Sequence, residues 1–281
     1  MTLKPSTPVM RPEVTTLPTM VVAAHRLPGV GLMAATLVGG ALAAGGANAL
    51  NMWADRDIDR LMARTANRPL VTGVLTPTAA VVFALVLEAL AFVELWFFAN
   101  LLSAVLALSA TLFYVFVYTL WLKRTSTQNI VIGGAAGAVP VLVGWAAVRN
   151  SLGLAPLVLF AIIFVWTPPH FWALAIKYKD EYRAANVPML PAVVSMKSTA
   201  RQILVYSVLL YALTLLFGDV AGMGALYTAA ALVLGAVFLV FALRLLRDGT
   251  AARAMRLFSY SISYVTLLFG AMAADQLLRS H

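Results

Sequence analysis

One amide and two carboxylates recur every four residues directly after a long apolar run. Asn51, Asp55 and Asp59 occupy positions i, i+4 and i+8 of the segment Asn51-Met-Trp-Ala-Asp-Arg-Asp-Ile-Asp. On a continuous helix this spacing places the three side chains on one face. Oxygen ligands of this kind suit Mg²⁺, which usually completes its shell with water and substrate phosphate. The spacing therefore predicts a magnesium site in which Asn51, Asp55 and Asp59 are both the ligands and the catalytic groups.

Basic residues accompany these acids, and two interpretations of them are open. The arginines at every fourth position predict a second stripe, about 100° around the same helix; they are Arg56, Arg60, Arg64 and Arg68. One interpretation is a solvated helix end with ion pairs and orientation-setting arginines. The other is a metal–diphosphate site in which arginines neutralise phosphate oxygens. The apolar run that precedes Asn51 favours the second.

Transmembrane helices must position these groups. The chain is 62% hydrophobic and 11% charged, against about 25% charged residues in a typical soluble domain. Eight apolar runs are long enough to cross a hydrocarbon core of about 30 Å; they lie near residues 31–51, 76–97, 100–121, 130–148, 154–176, 202–218, 222–246 and 257–278. A ninth run, 14–24, would cover only about half of that core. We expect an all-α polytopic bundle of about nine membrane helices, the first one short, with a polar tail at 1–13 and a single domain at 14–281.

The net charge of +9 is explained by membrane topology. Most Lys and Arg fall in loops on one side of the predicted spans, which the positive-inside rule assigns to the cytoplasm. We therefore expect no nucleic-acid partner, and a multi-pass protein of the cell membrane. Two acidic clusters, at 55–59 and 180–181, lie on the same side although orientation does not require acids there. Metal binding between two helical bundles would explain them. The absence of cysteine excludes disulfides and thiolate metal sites.

Several segments resemble the UbiA superfamily of intramembrane prenyltransferases. The Asn51-x3-Asp55-x3-Asp59 pattern is similar to the first aspartate motif of that family. Further segments are similar to a branch of the superfamily that modifies haem: 55–69, 123–137, 166–172, 177–182 and 258–262. The resemblance extends from about residue 14 to residue 275. It departs from the family in the short first span and in the second motif, where the usual pair of aspartates four residues apart is replaced by Asp180-Glu181.

The resemblance implies an activity and a set of site residues. It implies transfer of a farnesyl group from farnesyl diphosphate to a vinyl group of haem b, giving haem O, with Mg²⁺ as the cofactor and haem b as a substrate. Asp180 is expected to be a further metal ligand and catalytic group. Four basic residues are expected to bind the diphosphate: Arg64, Arg68, Lys123 and Lys177. A haem A synthase downstream and the lipid bilayer are the other expected partners, and the active-site loops are expected on the cytoplasmic side.

His170 is less specific. A lone histidine on an apolar face is commonly a hydrogen-bonded core residue, and contact with a porphyrin, at the iron or at the reacting vinyl group, is the alternative. Two other functions also remain open: a UbiA-type prenyltransferase that acts on a quinone or chlorophyll precursor, and a non-catalytic haem-handling membrane protein. Glu88 and Glu94 interrupt the second long span; hydrogen bonding inside the helix is the default expectation for both.

Overall fold

The computed structural model describes residues 13–63 and 65–280, and all regular structure in these ranges is helical. In chain order the elements are α1 (Glu13–Ala24), α2 (Val30–Ala54), α3 (Arg56–Asp59), α4 (Pro69–Thr72), α5 (Pro77–Phe98), α6 (Leu101–Leu112), a π-helix (Phe113–Leu122), α7 (Lys123–Thr125), α8 (Asn129–Arg149), α9 (Leu154–Lys177), α10 (Lys179–Ala184), α11 (Leu190–Val193), α12 (Met196–Val220), α13 (Ala225–Asp248) and α14 (Ala251–Arg279).

The predicted all-α membrane bundle is confirmed. Eight helical segments in the described ranges are long and apolar enough to cross a membrane, and the segment Leu101–Thr125 joins α6, the π-helix and α7 into one of them. Helix α1, with 12 residues, is the expected short ninth. It begins at Glu13, which the sequence assigned to the tail; residues 1–12 of that tail lie outside the described residues.

Short polar residues start several of the long helices. The side chains of Thr76, Asn100, Ser195 and Thr250 each accept a hydrogen bond from the backbone N–H three residues later. This is N-capping, which satisfies a donor that the first turn leaves unpaired. The caps mark the first turns of helices α5, α6, α12 and α14.

Helices α8 and α9 form the centre of the bundle. In the apolar 18-residue stretch of each of these two helices, 61% of the residues are buried inside the protein, whereas the corresponding share is 22% for α2 and α5. Helix α9 packs against α8, α12 and α14, whereas α2 packs mainly on α5. Helix α1 lies between α8 and α14, where Arg149 Nε donates to the Ala23 carbonyl at 2.5 Å. The short first helix is therefore an integral part of the bundle.

The third membrane span changes its helical period at Phe113. In the π-helix, Thr119 Oγ1 donates to the carbonyl of Tyr114, five residues earlier, at 2.9 Å. Irregular π segments occur frequently at functional sites. Here the segment carries Tyr114 and Tyr118 in the wall of a cavity and ends directly before Lys123.

Candidate functional site

The first acidic motif lies where α2 ends. Helix α2 stops at Ala54, and Asp55 joins it to the short α3. Backbone bonds from Asp55 N to Asn51 O (2.9 Å) and from Asp59 N to Asp55 O (2.8 Å) cross this junction. The three side chains are buried, with exposed fractions of 6%, 0% and 3%, and Asn51 Nδ2 donates to Asp55 Oδ2 at 2.8 Å. The structure therefore brings Asn51 and Asp55 together as their spacing predicts.

Three cations balance the buried acids. Lys123 Nζ contacts Asp55 Oδ2, and Arg124 lies 3.7 Å from the other oxygen of Asp55. Arg68 donates to Asp59 Oδ2 at 2.7 Å. A buried charge is tolerated only when it is paired. The expected diphosphate-binding residues Arg68 and Lys123 therefore lie at the acids themselves.

Asp57 faces away from this cluster. Its side chain is 62% exposed, and Arg124 donates two hydrogen bonds to it, at 2.7 and 2.8 Å. The Arg124 guanidinium holds the pKa of the Asp57 carboxyl well below its usual range. Arg124 thus connects the exposed acid Asp57 with the buried Asp55.

The predicted continuous stripe of arginines is wrong. The helix ends at Asp59, and the chain continues in turns closed by bonds from Leu61 N to Ile58 O and from Thr65 N to Met62 O. Thr65 Oγ1 donates to the Asp59 carbonyl at 3.1 Å, and these turns return Arg68 to Asp59. Arg64 lies outside the described residues.

The segment that follows the second acidic motif packs against the first motif. Ala185 and Val187, just after α10, pack in one apolar cluster with Ile58 and Met62, and Tyr182 packs against it. Because Ile58 lies between Asp55 and Asp59, this contact brings the two acidic loops together. The neighbouring loops fit the expectation of a site shared between two parts of the bundle.

Asp180, the metal ligand expected from the second motif, has an exposed side chain. Asp180 is 81% exposed and pairs with Arg183 at 3.4 Å, and it makes no hydrogen bond or ion pair with the first motif. Lys177 lies over the ring of Tyr178, 5.3 Å from its centroid. Glu181 differs from both, because its Oε2 is buried without a hydrogen-bond partner.

The donor set fits Mg²⁺ with substrate completing its shell. Asp55 Oδ1 and Glu181 Oε2 are buried carboxylate oxygens without hydrogen bonds, and such oxygens are costly unless a cation or donor meets them. Within the described ranges, no three His, Asp or Glu side chains by themselves form a metal-binding group. Mg²⁺ usually needs only one or two carboxylates beside water and phosphate oxygens, and the buried Asp55 and Asp59 are two such groups.

A cavity of about 460 Å³ begins one helical turn before the motif, at Asn48. Small residues of α2 and α8 form much of its wall, among them Gly40, Ala44, Gly133 and Gly137. Gly133 is required by a close approach, since a Cβ there would lie 2.2 Å from Cδ2 of Tyr118. Tyr114 and Tyr118 of the π-helix line the cavity, and Asn51 Nδ2 donates to Thr119 of the same π-helix at 3.3 Å. The cavity therefore lies next to the first acidic motif.

His170 lies in the wall of this cavity. Its ring is stacked between Trp166 and Phe258, at centroid distances of 4.2 and 4.7 Å. His170 Nδ1 lies 2.6 Å from Ser261 Oγ, which lies 2.6 Å from the Phe258 carbonyl oxygen. Because that oxygen can only accept, Ser261 gives it the hydroxyl proton and accepts from Nδ1–H. The lone pair of His170 is then on Nε2.

The model of the UbiA prenyltransferase family matches residues 14–269. The chain belongs to this family. A protoheme IX farnesyltransferase of Pseudarthrobacter chlorophenolicus is 51% identical over 93% of this chain and 84% of that protein. Among solved structures, a UbiA homolog from Aeropyrum pernix is 21% identical with a TM-score of 0.73, over 96% of this chain and all of that one. A UbiA homolog from Archaeoglobus fulgidus bound to DMAPP and Mg²⁺ is 14% identical with a TM-score of 0.63, over 93% and 95%.

Sequence reasoning missed several residues of this site. Arg124 follows Lys123, so its position next to a predicted site residue was the available signal. Ser261 lies in the segment 258–262, which entered only through its resemblance. Tyr114 and Tyr118 carry no local signal, since the π-helix that turns them into the cavity is not visible in the apolar pattern.

Proposed function

We propose that this chain transfers a farnesyl group from farnesyl diphosphate to a vinyl group of haem b, giving haem O. The observation that carries the proposal is a sequence identity of about 50% between this chain and protoheme IX farnesyltransferases, over nearly the whole chain. The geometry agrees, since a buried acidic cluster with paired cations adjoins a cavity that contains a histidine. The quinone-precursor and non-catalytic alternatives have no comparable support.

The first motif would hold the metal. Asn51, Asp55 and Asp59 offer buried oxygens, and the second motif would add Asp180 after a rotation of its exposed side chain, or Glu181 with its unpaired oxygen. When bound, Mg²⁺ supplies charge stabilisation for the departing diphosphate. The homolog from Archaeoglobus fulgidus is bound to DMAPP and Mg²⁺, which supports magnesium and a prenyl diphosphate as ligands of this fold.

The cations of the site would bind the diphosphate. Lys123 and Arg68 pair with Asp55 and Asp59, so both cations lie where they could also reach phosphate oxygens bound at these acids. As the phosphate oxygens arrive, these cations turn from the carboxylates to the phosphates and free the acids. Arg64 and Lys177, from the two acidic loops, would add charge at the cytoplasmic entrance.

The cavity would hold the two apolar reactants. Its small-residue walls would receive the farnesyl chain and the reacting edge of haem, and its apolar lining would limit contact of the allylic cation with water. His170 would contact haem through Nε2, with Ser261 fixing the ring orientation. The active-site loops would lie on the cytoplasmic side of the cell membrane. A haem A synthase would consume the product.

A reaction with purified protein tests the proposal. The protein is incubated with haem b, farnesyl diphosphate and Mg²⁺, and haem O is measured by mass spectrometry. Asp55→Ala is expected to abolish the product, whereas Asp57→Ala, which removes an exposed acid two residues away, is expected to retain it. Absence of haem O from folded wild-type protein that binds haem would contradict the proposal.

A further inference from the structure

A carboxyl group is buried in the middle of a membrane helix. Glu88 lies near the centre of α5 (Pro77–Phe98), and 8% of it is exposed. Ionisable residues at this depth are costly and usually mark a functional site. Neither the diphosphate site nor the haem contact uses Glu88.

The surrounding residues are arranged to accommodate this carboxyl. A Cβ on Gly46 of α2 would lie 2.5 Å from Glu88 Oε1, so the glycine provides its space. Thr111 Oγ1 of α6 donates a hydrogen bond to the same oxygen at 3.1 Å. This donor stabilises a carboxylate inside an apolar bundle.

Thr111 connects the carboxyl to the cavity. It is 5% exposed and lines the same cavity as His170. A hydroxyl has one proton and two acceptor positions. Because Thr111 directs its proton at Glu88, its lone pairs remain free to accept a proton from a molecule in the cavity.

We propose that Thr111 and Glu88 together accept the proton that is released when water adds to the farnesylated haem; this rests on the proposed function. The C1–O bond of farnesyl diphosphate breaks, and its electron pair leaves with the diphosphate. The π electrons of the vinyl group then form the bond between its terminal carbon and farnesyl C1, which leaves a cation on the carbon attached to the porphyrin. The oxygen of a water molecule bonds to that carbon. One proton of this water passes to Thr111 Oγ1 as the proton of Thr111 passes to the Glu88 carboxylate, so the product is a neutral alcohol and Glu88 becomes neutral.

Burial favours Glu88 over His170 as the acceptor. Protonation of Glu88 removes a charge from an apolar environment, whereas protonation of His170 would create one between Trp166 and Phe258. Thr111 is the catalytic residue of the pair because it touches the water, and Glu88 acts through it.

Glu94 provides a matched control on the same helix. It lies beside Gly39, and its Oε2 is buried without a hydrogen-bond partner. Neither Glu94 nor Gly39 lines the cavity. A general effect of removing a carboxyl from α5 would therefore appear in Glu94→Gln as well.

The test compares the products of Glu88→Gln, Thr111→Val and Glu94→Gln by mass spectrometry. Without the acceptor, the cation loses a carbon-bound proton instead and gives an alkene that is lighter than haem O by one water. A positioned base contributes at least about 100-fold, so Glu88→Gln and Thr111→Val are expected to lower haem O formation by about that factor and to raise the alkene fraction. The KM for farnesyl diphosphate is expected to stay unchanged, Glu94→Gln to behave as wild type, and Thr111→Ser to retain haem O.

Other results would overturn the assignment of Thr111 and Glu88 as the proton acceptor. A wild-type ratio of haem O to alkene in Glu88→Gln, or an equal loss in Glu94→Gln, overturns it while the proposed function stands. If Glu88→Gln does not fold, Thr111→Val decides alone, since a wild-type ratio there also overturns the pair. Absence of any farnesylated haem from the wild type overturns the proposed function together with the pair.

Discussion

Replacing Asp55 by Asn separates the two roles that the structure gives to this residue. Asp55 is fully buried, and its partner Lys123 has a side chain only 16% exposed. The substitution keeps the shape of the side chain but leaves the Lys123 ammonium without its carboxylate. Breaking one partner of a buried pair costs about 3–5 kcal/mol. Because Lys123 lies at the end of a membrane span and retains some exposure, we expect the lower value, about 3 kcal/mol.

A second substitution, Lys123→Met, completes a double-mutant cycle. In the double variant neither charge remains, so most of the lost stability is expected to return. The activity is expected to stay low, since removing one group that stabilises the developing charge costs about 10²–10³ in rate. Stability and activity should thus separate in the same protein.

Unfolding in mixed micelles, followed by tryptophan fluorescence, measures the first quantity, and haem O formation measures the second. Asp57→Asn serves as the control for a charge change at an exposed position. Unchanged stability in Asp55→Asn would refute the pairing of Lys123 with Asp55. Full activity in the double variant would refute the assignment of Asp55 to the metal.

Three further changes test other parts of the site. Gly133→Ala is expected to push the Tyr118 ring into the cavity, with about 1–3 kcal/mol of overpacking strain and haem O formation lowered about tenfold; a wild-type rate would contradict the close approach. Asp57 has a lowered pKa in the folded protein, so the stability from its Arg124 pair is present above the unfolded pKa of about 3.9 and is lost as pH falls through the folded pKa. When the unfolding free energy is measured against pH, Asp57→Asn should lose less stability at acid pH than the wild type. An identical loss in both proteins would argue against the pair. His170→Ala is expected to weaken haem binding about tenfold in an optical titration, and an unchanged affinity would remove His170 from the haem site.

The spacing of residues along the sequence predicted part of the candidate site. The i, i+4 relation of Asn51 and Asp55 predicted their contact because each hydrogen-bonded helical turn determines it, and the bond between their side chains is present. The same argument failed for the arginines after Asp59. Nothing in the sequence pattern marked the point where the helix gives way to turns, and the return of Arg68 to Asp59 is a tertiary contact.

Contacts between distant segments were beyond sequence reasoning. Ser261 and His170 meet across 91 positions, and the glycine–carboxyl contact of Gly46 with Glu88 joins two helices. Periodicity places a residue on a face of its own helix, but it does not say which neighbour that face meets. The apolar runs nevertheless predicted all eight long spans of the described part of the chain, because the thickness of a bilayer sets their length.

A competition between two acceptors decides whether haem is the acceptor at this site. Purified protein would be given farnesyl diphosphate and Mg²⁺ together with equal concentrations of haem b and an aromatic quinone precursor, and mass spectrometry would identify which acceptor becomes farnesylated. The proposed function predicts farnesyl on haem, as haem O, and an unmodified quinone precursor. Farnesyl on the quinone precursor with unmodified haem would contradict it.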